Sequence, residues 1–252
     1  MSEPTTRNHY SYTTYADPAT ARTFDDRRFG GPIGHLVAAT QAATLMKFIG
    51  EPRGRRILDV GTGTGRAALL LSRAGAAVTA IDPSEEMLRV ARQRAVEQRL
   101  DVVFGVGDAH ALEFPDRTFD VVVSLRVLMH TPGWRTCLGE MCRVARELVI
   151  VDYPAACSAA AVQSIGRRMR HAAGIRTEPY RVFSERQIAG ALQAFGFRVR
   201  SIERQFVLPI ALHKAVGSRR FTTTSEACLQ RVGLLRLFGS PVTIVAERCE
   251  SS

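Results

Sequence analysis

The sequence has few cysteines, and none is placed to hold a metal ion or a disulfide framework. The five cysteines are scattered, none forms a Cys-x-x-Cys pair, and no histidine lies near them at zinc-ligand spacing. A chain of 252 residues, 46% of them hydrophobic, is large enough to form a core without cross-links. We therefore expect no metal site and a reducing, cytoplasmic location.

Long apolar segments are also missing. No apolar run approaches the roughly 20 residues that a helix needs to span a bilayer. Residues 1–30 lack the basic-then-apolar pattern of a secretory signal. Both absences favour a protein without a membrane span.

Lysine is nearly absent, although the chain is basic. Lys47 and Lys214 are the only lysines among 34 basic residues, so arginine supplies almost all of the formal charge of +10. Such an excess attracts polyanions, but arginines spread along a chain also reflect compositional bias. We favour bias and expect no nucleic-acid partner. The cluster that includes Arg167 and Arg170 is a candidate site for an acidic small molecule, and the oligomeric state stays open.

Between residues 55 and 152, short apolar runs alternate with helical stretches, which is the pattern of βα units around a parallel sheet. Helices are expected at about 66–73, 84–99 and 133–146. The expected strands are 56–60, 77–81, 101–106, 119–124 and 148–152. This part has the organisation of a nucleotide-binding core.

The rest of the chain departs from this alternation. It predicts a helical stretch at 155–176, a helix at 184–195, a long strand at 197–208, a helical or irregular segment at 209–239 and a final strand at 242–246. We therefore predict an α/β, doubly wound, mostly parallel seven-stranded sheet in a single domain. Residues 1–54 would form an N-terminal cap, and 155–180 and 209–239 would be helical lid insertions.

A glycine loop follows the first predicted strand directly, and it reads Asp59-Val60-Gly61-Thr62-Gly63-Thr64-Gly65. Glycines there let backbone NH groups approach a ligand closely. Arg66 replaces the third glycine of the dinucleotide fingerprint, and Asp59 suits a cationic amino-acid group better than a pyrophosphate. Asp82, at the end of the second predicted strand, can accept hydrogen bonds from ribose hydroxyls or cap the next helix.

Four motifs occur in order across residues 56–152: Leu58 to Gly65, Ala80 to Ser84 with Met87-Leu88, Gly107-Asp108-Ala109, and Leu112 to Val122. Together they resemble the class I S-adenosylmethionine-dependent methyltransferases. Within that class they are most similar to the group that includes the menaquinone and ubiquinone C-methyltransferases. The resemblance implies S-adenosyl-L-methionine as cofactor and S-adenosyl-L-homocysteine as product.

The resemblance also implies roles for individual residues. The loop would line the methionine portion, the next carboxylate would bind the ribose, and the later residues would contact the adenine. The implied methionine contacts are Asp59, Gly61, Gly63 and Gly65, and the implied ribose contact is Asp82. The implied adenine contacts are Pro83, Met87, Asp108 and Ala109. Ser124 and Arg126 join this set because they follow the fourth predicted strand, where this fold places both cofactor and acceptor.

The acceptor side is less well defined. His130 is a candidate general base, with a structural role bonded to loop backbone as the alternative. Tyr153 is a second candidate beside the acceptor. In related enzymes the N-terminal region folds over the cofactor, which makes Tyr15 and Arg28 candidate contacts.

Three classes of function follow. The leading one is methyl transfer to a small-molecule acceptor by in-line displacement, with quinone-like compounds and natural products as acceptor classes. The segment 124–130 has no Asn-Pro-Pro or Asp-Pro-Pro signature, which counts against methylation of DNA bases. An RNA or protein methyltransferase is the alternative. A nicotinamide-dependent oxidoreductase or a non-catalytic nucleotide-binding paralogue is the third.

Overall fold

The structure is a computed structural model, and it describes residue 12, residues 14–172 and residues 180–249. We number the helices from Pro18 onward. They are α1 Pro18–Phe29, α2 Gly31–Ile49, α3 Arg66–Arg73, α4 Glu85–Gln98, α5 Trp134–Val144, α6 Ala159–Ala172, α7 Glu185–Ala194, α8 Ile210–Val216, α9 Arg219–Arg231 and α10 Leu234–Phe238. The strands are β1 Arg56–Val60, β2 Ala77–Asp82, β3 Val102–Val106, β4 Phe119–Ser124, β5 Ala145–Tyr153, β6 Phe197–Phe206 and β7 Ser240–Arg248.

The strands form one seven-stranded sheet in the order β3-β2-β1-β4-β5-β7-β6. The pairings among β1 to β5 are parallel, and β7 runs antiparallel to both β5 and β6. The predicted α/β class, with a doubly wound and mostly parallel seven-stranded sheet, is confirmed. The chain order reverses between β1 and β4, and a ligand crevice opens at such a switch point.

The sheet is buried on both faces, as the apolar strand sequences require. Val121 and Val123 of β4 pack into the cluster on one face, and Val122 packs into the cluster on the other. Alternate residues of a strand point to opposite faces, so a run of valines fills both layers. Among the described residues, no helix has the length and apolar character needed to cross a bilayer.

Some predicted boundaries were wrong. The helix expected to run to residue 146 ends at Val144, and β5 begins at Ala145, because Ala145 pairs with Phe119 across an irregularity in the β4–β5 register. β7 extends over Ser240–Arg248, two residues beyond the prediction at each end, since β6 pairs with it along most of its length. Such pairing depends on distant segments, which local patterns do not reveal.

The N-terminal cap region holds two helices, α1 and α2, whose boundaries no local pattern had predicted. The Asp17 carboxylate accepts a hydrogen bond of 2.9 Å from the Thr20 amide, and Pro18 occupies the first helical position, so α1 has a well-formed start. Helix α1 packs against α4, which follows β2. This contact brings the cap next to the carboxyl ends of the central strands. The division into cap, core and lid insertions stays a prediction.

Candidate functional site

The glycine loop after β1 adopts a conformation that side chains would disturb. Gly61, Gly63 and Gly65 have φ angles of 71°, 55° and 83°. A Cβ on Gly61 would lie 2.3 Å from Val127 Cγ2, and one on Gly65 would lie 2.9 Å from Ala91 Cβ. A Cβ on Gly63 would meet no atom within 4 Å. Gly61 and Gly65 therefore permit close packing, whereas Gly63 borders open space.

Asp59 lies at the end of β1, almost completely buried, beneath this loop. Its carboxylate accepts a hydrogen bond of 2.6 Å from the Thr62 hydroxyl. Burial raises the pKa of Asp59 to about 6, although the Thr62 hydrogen bond opposes the shift. A cationic group bound nearby would favour the ionised form of this carboxylate.

Asp82 ends β2 and joins the two neighbouring loops. Its two carboxylate oxygens accept hydrogen bonds from the Gly63 amide at 2.8 Å and from the Ser84 amide at 2.9 Å. Burial raises the pKa of Asp82 to about 6. A carboxylate has about four acceptor positions, so those not used by these two amides are available to ribose hydroxyls.

A cavity of about 120 Å³ opens between the loop, the ends of the strands and the N-terminal helices. It brings together many of the residues that the sequence singled out. Those that line it are Tyr15, Arg28, Asp59, Gly61, Gly63, Asp82, Met87 and Arg126. The lining thus combines two carboxylates and the loop backbone with three arginines, Arg28, Arg66 and Arg126.

Other predicted site residues lie outside this lining. Gly65 ends the loop and is buried against Ala91 of α4. Pro83 is exposed, and the Ser124 hydroxyl donates to the Val60 carbonyl at 2.9 Å, where it links β4 to β1. Ala109 packs against the apolar core. These positions shape the site through the backbone and the packing, and their predicted contacts with cofactor stay predictions.

Asp108 is surrounded by donors. Its carboxylate accepts from the Tyr12 hydroxyl at 3.1 Å, from the His110 amide at 2.9 Å, and contacts His110 Nδ1 at 2.7 Å. Burial opposes ionisation, but the hydrogen bonds from His110 and Tyr12 hold the pKa of Asp108 below its usual value. Asp108 thus stays an anionic acceptor. An adenine amino group could therefore bind Asp108 only if it shared the carboxylate with the Tyr12 hydroxyl or displaced that hydroxyl.

The two candidate bases are both buried, and neither is among the residues that line the cavity. His130 lies in a short 3₁₀ turn, Leu128–His130, with its ring centre 6.2 Å from that of Tyr15. The Tyr153 ring packs against Phe183, and its hydroxyl has no hydrogen-bond partner among the described residues. Burial raises the pKa of Tyr153 above its usual range, which weighs against proton removal at neutral pH. Both base roles stay predictions.

The N-terminal helices close the cavity through contacts that the sequence did not reveal. The Ser84 hydroxyl donates to the Tyr15 carbonyl at 2.6 Å, and Arg28 Nη2 donates to the Tyr15 hydroxyl at 3.1 Å. Asp25 forms a salt bridge with Arg94 of α4 and accepts from the Thr64 hydroxyl of the loop at 3.0 Å. Tyr15 and Arg28 therefore lie over the loop, and their contacts with cofactor or acceptor stay predictions.

Phe24 of α1 also lines the cavity. Its ring centre lies 5.9 Å from that of Tyr15, and the Arg28 guanidinium stacks 4.9 Å from it. An apolar ring thus holds these two side chains in position. The position supplies packing and no hydroxyl.

Asp152 and Gln41 are further site residues that sequence reasoning missed. The buried Asp152 carboxylate accepts from the Arg126 amide and, at 3.1 Å, from Gln41 Nε2 of α2. Asp152 lies near the carboxyl end of β5, the edge where functional groups of parallel sheets gather, and that position was an available signal. Gln41 carried no such signal because its helix is distant in sequence.

The basic lid candidates are only partly described. The exposed Arg167 of α6 stacks 5.5 Å from the Tyr180 ring centre. The side chain of Arg170 and residues 173–179 lie outside the described residues. Their role toward an acidic acceptor stays a prediction.

The strand order, the glycine loop after β1 and the acidic residue at the end of β2 define the fold of the class I methyltransferases. Residues 57–147 match the family of the methyltransferase domain. This part of the chain is a class I S-adenosylmethionine-dependent methyltransferase domain.

Two curated relatives match this domain. The chain is 43% identical to a phosphatidylethanolamine N-methyltransferase of Cereibacter sphaeroides over 106 residues, which are 40% of this chain and 52% of the relative. It is 38% identical to a demethylmenaquinone methyltransferase of Thermus thermophilus over 109 residues, 41% of this chain and 50% of the relative. The matches thus span about half the length of these relatives.

Solved structures share the fold over a longer part of the chain. Magnesium protoporphyrin IX methyltransferase of Synechocystis with bound SAM gives a TM-score of 0.60 at 19% identity, over 94% of this chain and 96% of that one. The cyclase SpnF gives a TM-score of 0.60 at 20% identity, over 84% and 81%. At these identities the likeness shows the fold alone, and the fold hosts more than one reaction.

Proposed function

We propose that the whole protein transfers a methyl group from S-adenosyl-L-methionine to a small-molecule acceptor by in-line displacement. The observation that carries this proposal is the pair of buried carboxylates, Asp59 and Asp82, around the open glycine loop. The cofactor supplies a methyl group already activated by its sulfonium. The protein's own part is to bind, to align the reactants and to exclude water.

The residues of the cavity fit this cofactor. Gly63 leaves open space where a Cβ would stand, and Asp82 keeps acceptor positions for ribose hydroxyls beside it. The buried Asp59 suits the cofactor's ammonium group, because ionising this carboxylate costs less beside a cation. Met87 supplies an apolar surface for the adenine ring in the same cavity.

The small-molecule acceptor is supported by the cover over the site. Helices α1 and α2 contribute residues to the lining of the cavity of about 120 Å³ beside the glycine loop. The names of the two curated relatives refer to a phospholipid and a quinone precursor, both small molecules. Quinone-like compounds and natural products therefore remain the first acceptor classes to test.

Isothermal titration with S-adenosyl-L-homocysteine tests the cofactor site directly. We expect wild type to bind it, and Asp82→Asn to weaken binding about tenfold or more, the usual effect of losing a hydrogen bond to a charged group. The matched control is Asp101→Asn, an exposed carboxylate outside the cavity lining. No binding by wild type would refute the proposal, and binding of NAD in its place would favour an oxidoreductase.

Methyl transfer itself needs a second assay, since a cyclase shares the fold. Labelled S-adenosyl-L-methionine is incubated with the protein and with separate small-molecule, RNA and protein fractions. We expect the label to enter the small-molecule fraction. Labelling of RNA or protein alone would overturn the acceptor class, and no labelling despite cofactor binding would support a non-catalytic role.

A further inference from the structure

The side of the cavity next to β5 carries an arginine that forms no salt bridge with any residue the structure describes. Arg126 lies two residues beyond β4 and lines the cavity, half-buried. Burial lowers the pKa of Arg126; the charge of Asp152 opposes this shift, and the charge of Arg28 adds to it. A partly buried guanidinium that forms no ion pair with a described residue can bind an anionic ligand in the cavity that it lines.

The backbone holds Arg126 in an unfavourable conformation. Its φ angle is 66°, in the left-handed region that side chains other than glycine seldom adopt. The buried Asp152 carboxylate accepts from its amide, and Gln41 of α2 fixes that carboxylate in turn. Backbone strain of this kind persists only where surrounding contacts impose it, and it clusters at ligand sites. Here the contacts aim the side chain at the cavity.

The chemistry of the side chain defines what it can bind. A guanidinium presents donors in a planar fork that matches the two oxygens of a carboxylate. Arg28 lines the same cavity, and Tyr15 lies between α1 and the loop with its hydroxyl bonded to Arg28. The lining next to β5 therefore offers guanidinium donors from Arg126 and Arg28. Asp59, Asp82 and Arg66 line the cavity at the glycine loop.

We propose that Arg126 binds a carboxylate of the methyl acceptor, so that the protein selects carboxylic acids over their neutral counterparts. This inference rests on the proposed function. Arg126 is also among the implied cofactor contacts, because residues that follow β4 can face either the cofactor or the acceptor. It contacts β5 through its amide, whereas the other implied cofactor residues of the lining lie in or after β1 and β2. The cofactor also has a carboxylate, and the test must separate the two sources of the same chemistry.

The first measurement compares acids with amides of the same shape. Benzoate with benzamide, and hexanoate with hexanamide, are titrated at constant ionic strength into the full-length protein saturated with S-adenosyl-L-homocysteine. We expect each acid to bind about tenfold or more tightly than its amide, the factor for a charged hydrogen bond. Equal binding of acid and amide, or no binding of either acid, would overturn the proposal.

Variants then assign the preference to this residue. Arg126→Met and Arg126→Gln should abolish the acid preference, and Arg126→Lys should restore part of it. The control is Arg99→Met, because Arg99 has a positive φ of 53° but lies exposed at the end of α4. If both neutral variants kept the preference, Arg126 would not be the anchor. If neither neutral variant folds, the proposal is still tested by the acid preference of wild type and by whether Arg126→Lys retains only part of it.

A final measurement tests the cofactor as the source of the carboxylate. S-adenosyl-L-homocysteine is compared with 5′-methylthioadenosine, which lacks the amino-acid portion. We expect Arg126→Met to leave both affinities within about twofold of wild type. If Arg126→Met lost about tenfold in affinity for S-adenosyl-L-homocysteine but not for 5′-methylthioadenosine, Arg126 would hold the cofactor carboxylate, and the proposal would be overturned. Failure of wild type to bind either nucleoside would refute the proposed function instead.

Discussion

Replacing Asp59 by asparagine should make the cofactor-free protein more stable. Burial raises the pKa of Asp59 to about 6, so the folded protein bears a cost for keeping this group ionised at neutral pH. Its pKa in the unfolded chain is about 3.9, and a difference of about two units corresponds to about 3 kcal/mol. Asparagine removes that cost and retains an acceptor for the Thr62 hydroxyl. We expect a gain of about 1–3 kcal/mol in the free energy of unfolding at about pH 8.

The sign of the pH dependence follows from the same shift. Because the pKa of Asp59 is higher in the folded state, the folded protein binds more protons than the unfolded chain between about pH 4 and 6. The contribution of Asp59 to stability therefore falls as the pH rises through this window. The advantage of Asp59→Asn over wild type should be absent below about pH 4 and complete above about pH 6.

Urea denaturation at several pH values measures this difference, with S-adenosyl-L-homocysteine left out. Asp101→Asn is the matched control, since that exposed carboxylate should give no such pH-dependent gain. Two results would refute the reasoning: an Asp59→Asn variant less stable than wild type at about pH 8, or an advantage that does not change with pH. Under the proposed function, the same variant should bind the cofactor product more weakly, which would identify Asp59 as a functional cost to stability.

Two further predictions concern the loop and its cover. Gly61→Ala should lower the melting temperature more than Gly63→Ala, because only the first places a Cβ 2.3 Å from Val127; equal losses would contradict the packing argument. Asp25→Asn should weaken the links from α1 to Arg94 and to the loop, so the N-terminal region should be cut faster in limited proteolysis. Unchanged cleavage would show that these contacts do not hold the cover.

Much of the cofactor site was predictable because its signals are local. The apolar run of β1, the glycines after it and the carboxylate at the end of β2 are adjacent to the turns that they shape. Parallel strands present their carboxyl ends at one edge, so residues that end them meet regardless of the loops between. The reading of residues 56–124 as βα units was confirmed for the same reason.

The tertiary structure alone decided which residues cover and complete the edge of the sheet where the parallel strands present their carboxyl ends. The junction of α5 and β5, the pairing of β6 with β7, and the contacts of Asp25 and Gln41 all join segments distant in sequence. No local pattern marks such contacts, because packing and not propensity selects them. The sequence by itself determined which cofactor class the glycine loop suits. Only the folded chain revealed how Arg126 is held in the cavity lining, because the Asp152 carboxylate that fixes its backbone comes from the neighbouring strand and lies far away in sequence.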